Sequence, residues 1–96
     1  MRAYFVYILT NTPRGVLYVG VTRDLQRRVE LHKVGRYSSF TRQWGTHRLV
    51  WQETHHDILA AIEREKTIKR WRRAWKFALV ERDNPQWRDL FDESIG

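Results

Sequence analysis

Two apolar runs rich in aromatic and β-branched side chains open the chain: Ala3-Tyr4-Phe5-Val6-Tyr7-Ile8-Leu9, then Val16-Leu17-Tyr18-Val19-Gly20-Val21-Thr22. Both read as strands, and the Pro and Gly of the Thr10–Gly15 link read as a turn, so the pair is an antiparallel hairpin. Polar and apolar positions then take up a helical period. Asp24 suits an N-cap, and Leu25 to Lys33 reads as a helix ending near Gly35. Residues 35–45, with turn formers and scattered aromatics, read as a loop. Arg48 to Thr54 is a third strand. Asp57 caps a long helix reaching about Trp71, and Ala74 to Arg82 forms a second helical piece that Asn84-Pro85 breaks. A last turn is expected over 86–91. The order β-β-α-β-α-α predicts an α+β fold, a small three-stranded antiparallel sheet flanked by helices, as one domain over residues 1–96.

Composition narrows the chemistry. A chain of 96 residues with 42% hydrophobic positions and five tryptophans can build one core, so wholesale disorder is excluded. The absence of cysteine removes disulfides, thiolate catalysis and Cys-ligated zinc. The apolar run at the N-terminus is shorter than a signal-peptide core, and no stretch approaches the length that spans a bilayer. A soluble cytoplasmic protein with no membrane partner is the expectation.

Charge points to a partner. The net charge is +7, and arginine dominates the cations; its planar fork of donors matches phosphate. Arg64 to Lys76 carries seven cations and one carboxylate, whereas five acids and two arginines follow from Glu81 onward. The basic stretch, with Lys69, Arg70, Arg72, Arg73 and Lys76, is the candidate nucleic-acid surface. Trp71 and Trp75 interleave it, either to stack on bases or to pack a helical face. The acidic tail is expected to fold back on the body or to face solvent.

Four places carry candidate chemistry. A hairpin symmetric about its turn sets Tyr7 opposite Tyr18, two phenols on one face, which by themselves are ordinary cross-strand packing. On the first helix, Leu25, Arg28, Val29 and His32 share one stripe, so a cation and an imidazole sit one turn apart. Arg28 suits a phosphate and His32 can move a proton, although a snorkelling Arg and a His near a helix C-terminus would look the same. On the long helix, Ile58, Ala61, Ile62 and Ile68 define an apolar arc with Glu65 near its middle. A carboxylate there must be protonated, paired with Lys69 or Arg72, or bound to a metal.

Phe5-Val6-Tyr7 followed by Tyr18-Val19-Gly20 resembles the paired motif of the GIY-YIG nuclease superfamily, with Phe5-Val6 in place of Gly-Ile. The similarity runs on through Asp24-Leu25-Gln26-Arg27-Arg28, His32 and the Glu65 helix to Asn84-Pro85-Gln86-Trp87, and is closest to the stand-alone bacterial members. It implies a metal-dependent endonuclease cutting nucleic acid, DNA by expectation, with weak sequence preference. Carried over by position, the tyrosines are Tyr7 and Tyr18, the phosphate-binding arginine is Arg28, the helix histidine is His32, and the ligand for Mg²⁺ or Mn²⁺ is Glu65. Asn84 is a loose match to a family asparagine, for ligand or loop-fixing duty. The competing reading is a catalytically silent module that binds nucleic acid through the Arg64–Lys76 surface.

Overall fold

The computed structural model describes residues 2–91. Its elements are β1 (Tyr4–Thr10), β2 (Leu17–Thr22), α1 (Leu25–Lys33), α2 (Ser39–Trp44), β3 (Arg48–His55), α3 (Ile58–Arg70) and α4 (Arg73–Asp83). The sheet order is β2-β1-β3, with both pairings antiparallel. This is the α+β arrangement the chain pattern implies, with one more helix. The near-continuous apolar run of β1 follows from its central place, since both of its faces are covered. Val6 and Ile8 join Val19, Ala61, Ile68 and Val80 under α3 and α4, while Tyr7 and Leu9 join Val29 of α1, Leu49 and Phe91 on the other face.

Two sequence expectations need correcting. Tyr7 lies opposite Gly20 and Leu9 lies opposite Tyr18, so the two tyrosines are diagonal neighbours rather than a facing pair. The Gly15 amide donates to the Thr12 carbonyl at 2.9 Å, which centres the reversal on Pro13-Arg14 and shifts the register by two. Period-two alternation keeps both rings on one face despite the shift. Residues 35–45 are also not all loop. The Ser38 hydroxyl accepts from the Thr41 amide and Gly45 closes the segment in the left-handed region, which makes Ser39–Trp44 a capped helix.

The other helix starts follow their caps. Asp24 accepts from the Arg27 amide and Asp57 from the Ala60 amide. Ala61 and Ile68 of α3 are buried and Ile58 is exposed, so the apolar arc of α3 is narrower than its sequence suggests. The C-terminal segment folds back. Glu81 accepts from Arg14 and from the Trp87 indole, and Asp89 accepts from Lys33 at 2.6 Å and from the Leu49 amide. Asp92 and Glu93 of the acidic tail lie outside the described residues. Asn84 is buried and fully engaged, with Val50, Arg88 and the α4 end as partners, which makes it a loop-fixing residue. No helix among the described residues is long and apolar enough to cross a membrane.

Candidate active site

The site grows from the Tyr7–Gly20 pair. Tyr7 is fully buried, and its ring lies across the edge strand where Gly20 has no side chain. A Cβ built at Gly20 would stand 2.5 Å from the Tyr7 hydroxyl oxygen and 2.6 Å from Cζ. Glycine is therefore needed here for space. The hydroxyl thereby reaches α1, where Arg28 and His32, one turn apart, both meet it. Arg28 Nη1 donates to it at 3.3 Å, and His32 Nε2 lies 3.4 Å away. Arg28 donates also to the Val21 carbonyl of the edge strand at 3.4 Å. The Tyr18 ring sits 6.3 Å from that of Tyr7 and 4.8 Å from that of His32. Tyr7, Tyr18, Arg28 and His32 thus form one contiguous cluster.

Three contributors escape sequence reasoning, two in the segment read as a loop and one directly after it. Tyr37 lies beneath the Arg28 guanidinium, 4.2 Å from centroid to Cζ, and 4.6 Å from the His32 ring. Thr41 Oγ1 is 2.6 Å from His32 Nδ1 and 2.9 Å from the Thr46 hydroxyl, so a buried hydroxyl pair holds the far side of the imidazole. The signal that could have found them is the Ser38…Gly45 bracket, a helix start and stop.

Burial sets the charge state of the cluster. Desolvation pushes the Tyr7 phenol up to about 12, against the pull of Arg28. It raises Tyr18 as well, helped by the neighbouring phenols of Tyr7 and Tyr37. The same desolvation, with repulsion from Arg28 and His47, lowers His32 to about 4. At neutral pH the phenols and the imidazole are uncharged around a permanent cation.

Glu65 is half-buried on α3, and its negative charge is among the influences that raise Tyr7. Its Oε2 is 3.1 Å from Lys69 Nζ, the i+4 partner that the sequence offers; the Lys69 side chain is 52% exposed. No group of three or more His, Cys, Asp or Glu side chains is placed to hold a metal among the described residues. One carboxylate suits a hard cation that keeps its waters and takes phosphate oxygens, and it does not suit a zinc-type site.

The basic stretch divides. Arg70 and Arg72 present exposed guanidinium groups, with Arg72 5.6 Å from the ring centroid of Trp75, which is 54% exposed. Arg73 donates to the Arg14 and Gly15 carbonyls and so braces the hairpin turn. Arg64 pairs with Glu53, and Lys69 with Glu65. Lys76 is half-buried, and burial and Arg73 disfavour its charged form.

Comparison with known proteins gives the same result from several directions. The family model described as the GIY-YIG catalytic domain matches residues 3–78, a span that contains Tyr7, Tyr18, Arg28, His32 and Glu65. UPF0213 proteins of Staphylococcus aureus strains Mu3 and Mu50 are each 35% identical over 81 residues, covering 84% of this chain and 98% of theirs. The solution NMR structure of a UPF0213 protein from Bacillus halodurans superposes with a TM-score of 0.57 at 30% identity, covering 91% of this chain and 92% of that one. The GIY-YIG domain is characteristic of endonucleases, and the chain belongs to the GIY-YIG family.

Proposed function

We propose that this chain is an endonuclease that hydrolyses a phosphodiester of DNA with one divalent cation, Mg²⁺ or Mn²⁺, held by Glu65. The observation that supports it most is the Tyr7 hydroxyl, buried between Arg28 and His32. Arg28 is the permanent charge in a cluster of neutral rings, so an anionic phosphate is the complementary ligand. Its guanidinium is fixed in advance by Tyr7, Val21 and Tyr37, and meets growing negative charge on the phosphoryl oxygens without reorganising. A divalent cation held by Glu65 would supply positive charge to the scissile phosphate.

The proton route uses the chain of hydroxyls. Arg28 can only donate, so the Tyr7 oxygen accepts there and keeps its own proton to give. In the productive arrangement, Tyr7 O–H faces His32 Nε2, His32 Nδ1–H donates to Thr41, and Thr41 donates to Thr46. Attack by water would pass a proton to Tyr7 as Tyr7 passes its own to His32. An imidazole at about 4 is a poor base at neutral pH. Burial depresses it most and the Arg28 charge next, and a bound phosphate would offset the second of these. Tyr18 orients the His32 ring by packing against it.

The experiment is metal-dependent cleavage of a panel of single-stranded, duplex and branched DNA and RNA, comparing wild type with Glu65→Gln. Lys69 is half exposed and solvates readily once unpaired, so the variant should keep its stability to within about 1 kcal/mol. It should bind nucleic acid and fail to cut it. Metal-dependent cutting retained by the variant overturns the role of Glu65. Binding without cleavage by wild type, across the panel and with either metal, instead supports the silent binding module; the exposed Arg70, Arg72 and Trp75 favour that reading.

A further inference from the structure

We infer that Tyr37, Phe40 and Trp44 form a stacking shelf for unpaired bases beside the catalytic cluster, so that the chain selects single-stranded nucleic acid over duplex. The inference rests on the nuclease reading for its purpose and on separate observations for its content. Phe40 and Trp44 are i and i+4 on α2, which puts them on one side of that helix. They are 37% and 46% exposed, and Tyr37, just before the helix, is 36% exposed. The shelf is continuous with the site. Phe40 lies 5.7 Å and Tyr37 6.3 Å from the Tyr18 ring, and Tyr37 carries Arg28 on its face.

The parts of these two rings left outside gain nothing in folding, because burial is what makes an aromatic ring stabilising. Contiguous exposed apolar surface rimmed by polar groups marks an interaction site. Charge identifies the occupant. Arg28 stands at the inner end of the shelf, and Arg36 and Arg42 are exposed within the same segment, in a chain of net charge +7. Aromatic rings with Arg28 at their inner end match a strand whose bases stack while a phosphate meets the cation. A duplex buries its base faces and offers the rings only sugar and phosphate, so the shelf discriminates by strandedness. The same helix carries Thr41, about a quarter-turn round from Phe40, and Thr41 holds His32. Occupancy of the shelf therefore sets a strand against the element that orients the imidazole.

The test is binding in EDTA, where cleavage does not intervene. Wild type, Phe40→Ala/Trp44→Ala and the rescue variant Phe40→Tyr/Trp44→Tyr are titrated with a single-stranded 12-mer of DNA, its RNA equivalent and the matched DNA duplex. Wild type should favour a single strand over the duplex. Each lost stacking contact should weaken single-strand affinity by roughly 5- to 100-fold, with duplex affinity unchanged, the salt slope unchanged, and the Tyr variant restored. Circular dichroism of the Ala variant, whose altered residues are exposed, checks that α2 persists. Equal losses on single strand and duplex, or no loss at all, would overturn the inference. So would a shift from dimer to monomer on Ala substitution without loss of affinity, which would make the face a contact between copies. Strand-selective binding by a wild type that cuts nothing would sustain the shelf while ending the nuclease reading. Cutting without strand preference would do the reverse.

Discussion

Gly20→Ala is the sharpest test of the site geometry, because it adds one methyl at the point where Tyr7 crosses the edge strand. Ordinary van der Waals contact begins at about 3.4 Å, and the new Cβ would stand 2.5 Å from the hydroxyl and 2.6 Å from Cζ. Either the ring or the strand must yield by roughly 0.9 Å, the difference between those two distances. Tyr7 is fully buried, so its ring cannot swing out into solvent. Its two polar contacts, at 3.3 and 3.4 Å, already sit near the outer limit of hydrogen bonding and will not survive such a shift. Overpacking of this kind costs about 1–3 kcal/mol, which for a domain of this size lowers Tm by about 5–20 °C. Cleavage measured well below Tm should fall on the order of 100-fold, the usual effect of a reacting group displaced by about 1 Å. Combining the change with Tyr7→Phe removes the closest atom, so the two stability losses should sum to less than their separate values. A Gly20→Ala protein with wild-type Tm and wild-type cleavage would refute the packing argument.

Three further outcomes follow from the same geometry. Thr41→Val strips Nδ1 of His32 of its partner and leaves a buried Thr46 hydroxyl short of one. It should lower kcat with little change in KM and cost about 1–3 kcal/mol in denaturant melts, and Thr41→Ser should restore both. The depressed His32 sets a pH dependence. Between about 4 and 6.5 the unfolded chain binds the proton that the folded chain refuses, so stability falls as pH drops through that window, by at most on the order of 3 kcal/mol. Melts of His32→Gln against pH should lose that part of the slope, and an unchanged profile would mean that His32 is not held neutral. Neutralising Arg70 and Arg72 together should lower the log–log salt slope of nucleic-acid binding by roughly 0.7–0.9 per lost phosphate contact, whereas Arg73→Ala should act mainly on thermal stability through the turn it braces.

Much of this fold is legible in the chain because its local signals agree with its packing. The β1 run is apolar on both faces and lies at the centre of the sheet, and Asp24 and Asp57 cap the helices they precede. The register was not legible, because loop length alone leaves the centre of a turn open, and here a single Thr12–Gly15 hydrogen bond decides it. Helix α2 was missed for a different reason. Six residues carry too little periodicity to register, and the buried residue is a threonine, Thr41, while Phe40 and Trp44 are exposed. A pattern argument expects the reverse. Inverted polarity in a short helix is what a site requires when a hydroxyl must hold a buried imidazole and aromatic rings must meet a ligand.

That Tyr7, Tyr18, Arg28 and His32 lie together was legible, and their charge states were not. From residue types alone, a phenol near a guanidinium should ionise more easily than a free one, and an imidazole near a helix C-terminus should hold its proton more firmly. The fold reverses both. Desolvation outweighs Arg28 at Tyr7, and at His32 it joins the repulsion of Arg28 and His47. The rings of Tyr18 and Tyr37 lie against His32, and no spacing rule places Tyr37 there. The consequence is functional. A resting cluster of neutral rings around a fixed cation has no strong base in it. In the proposed reaction a phosphate beside Arg28 would offset one of the charges that depress His32, which would tie the proton route to occupancy of the site.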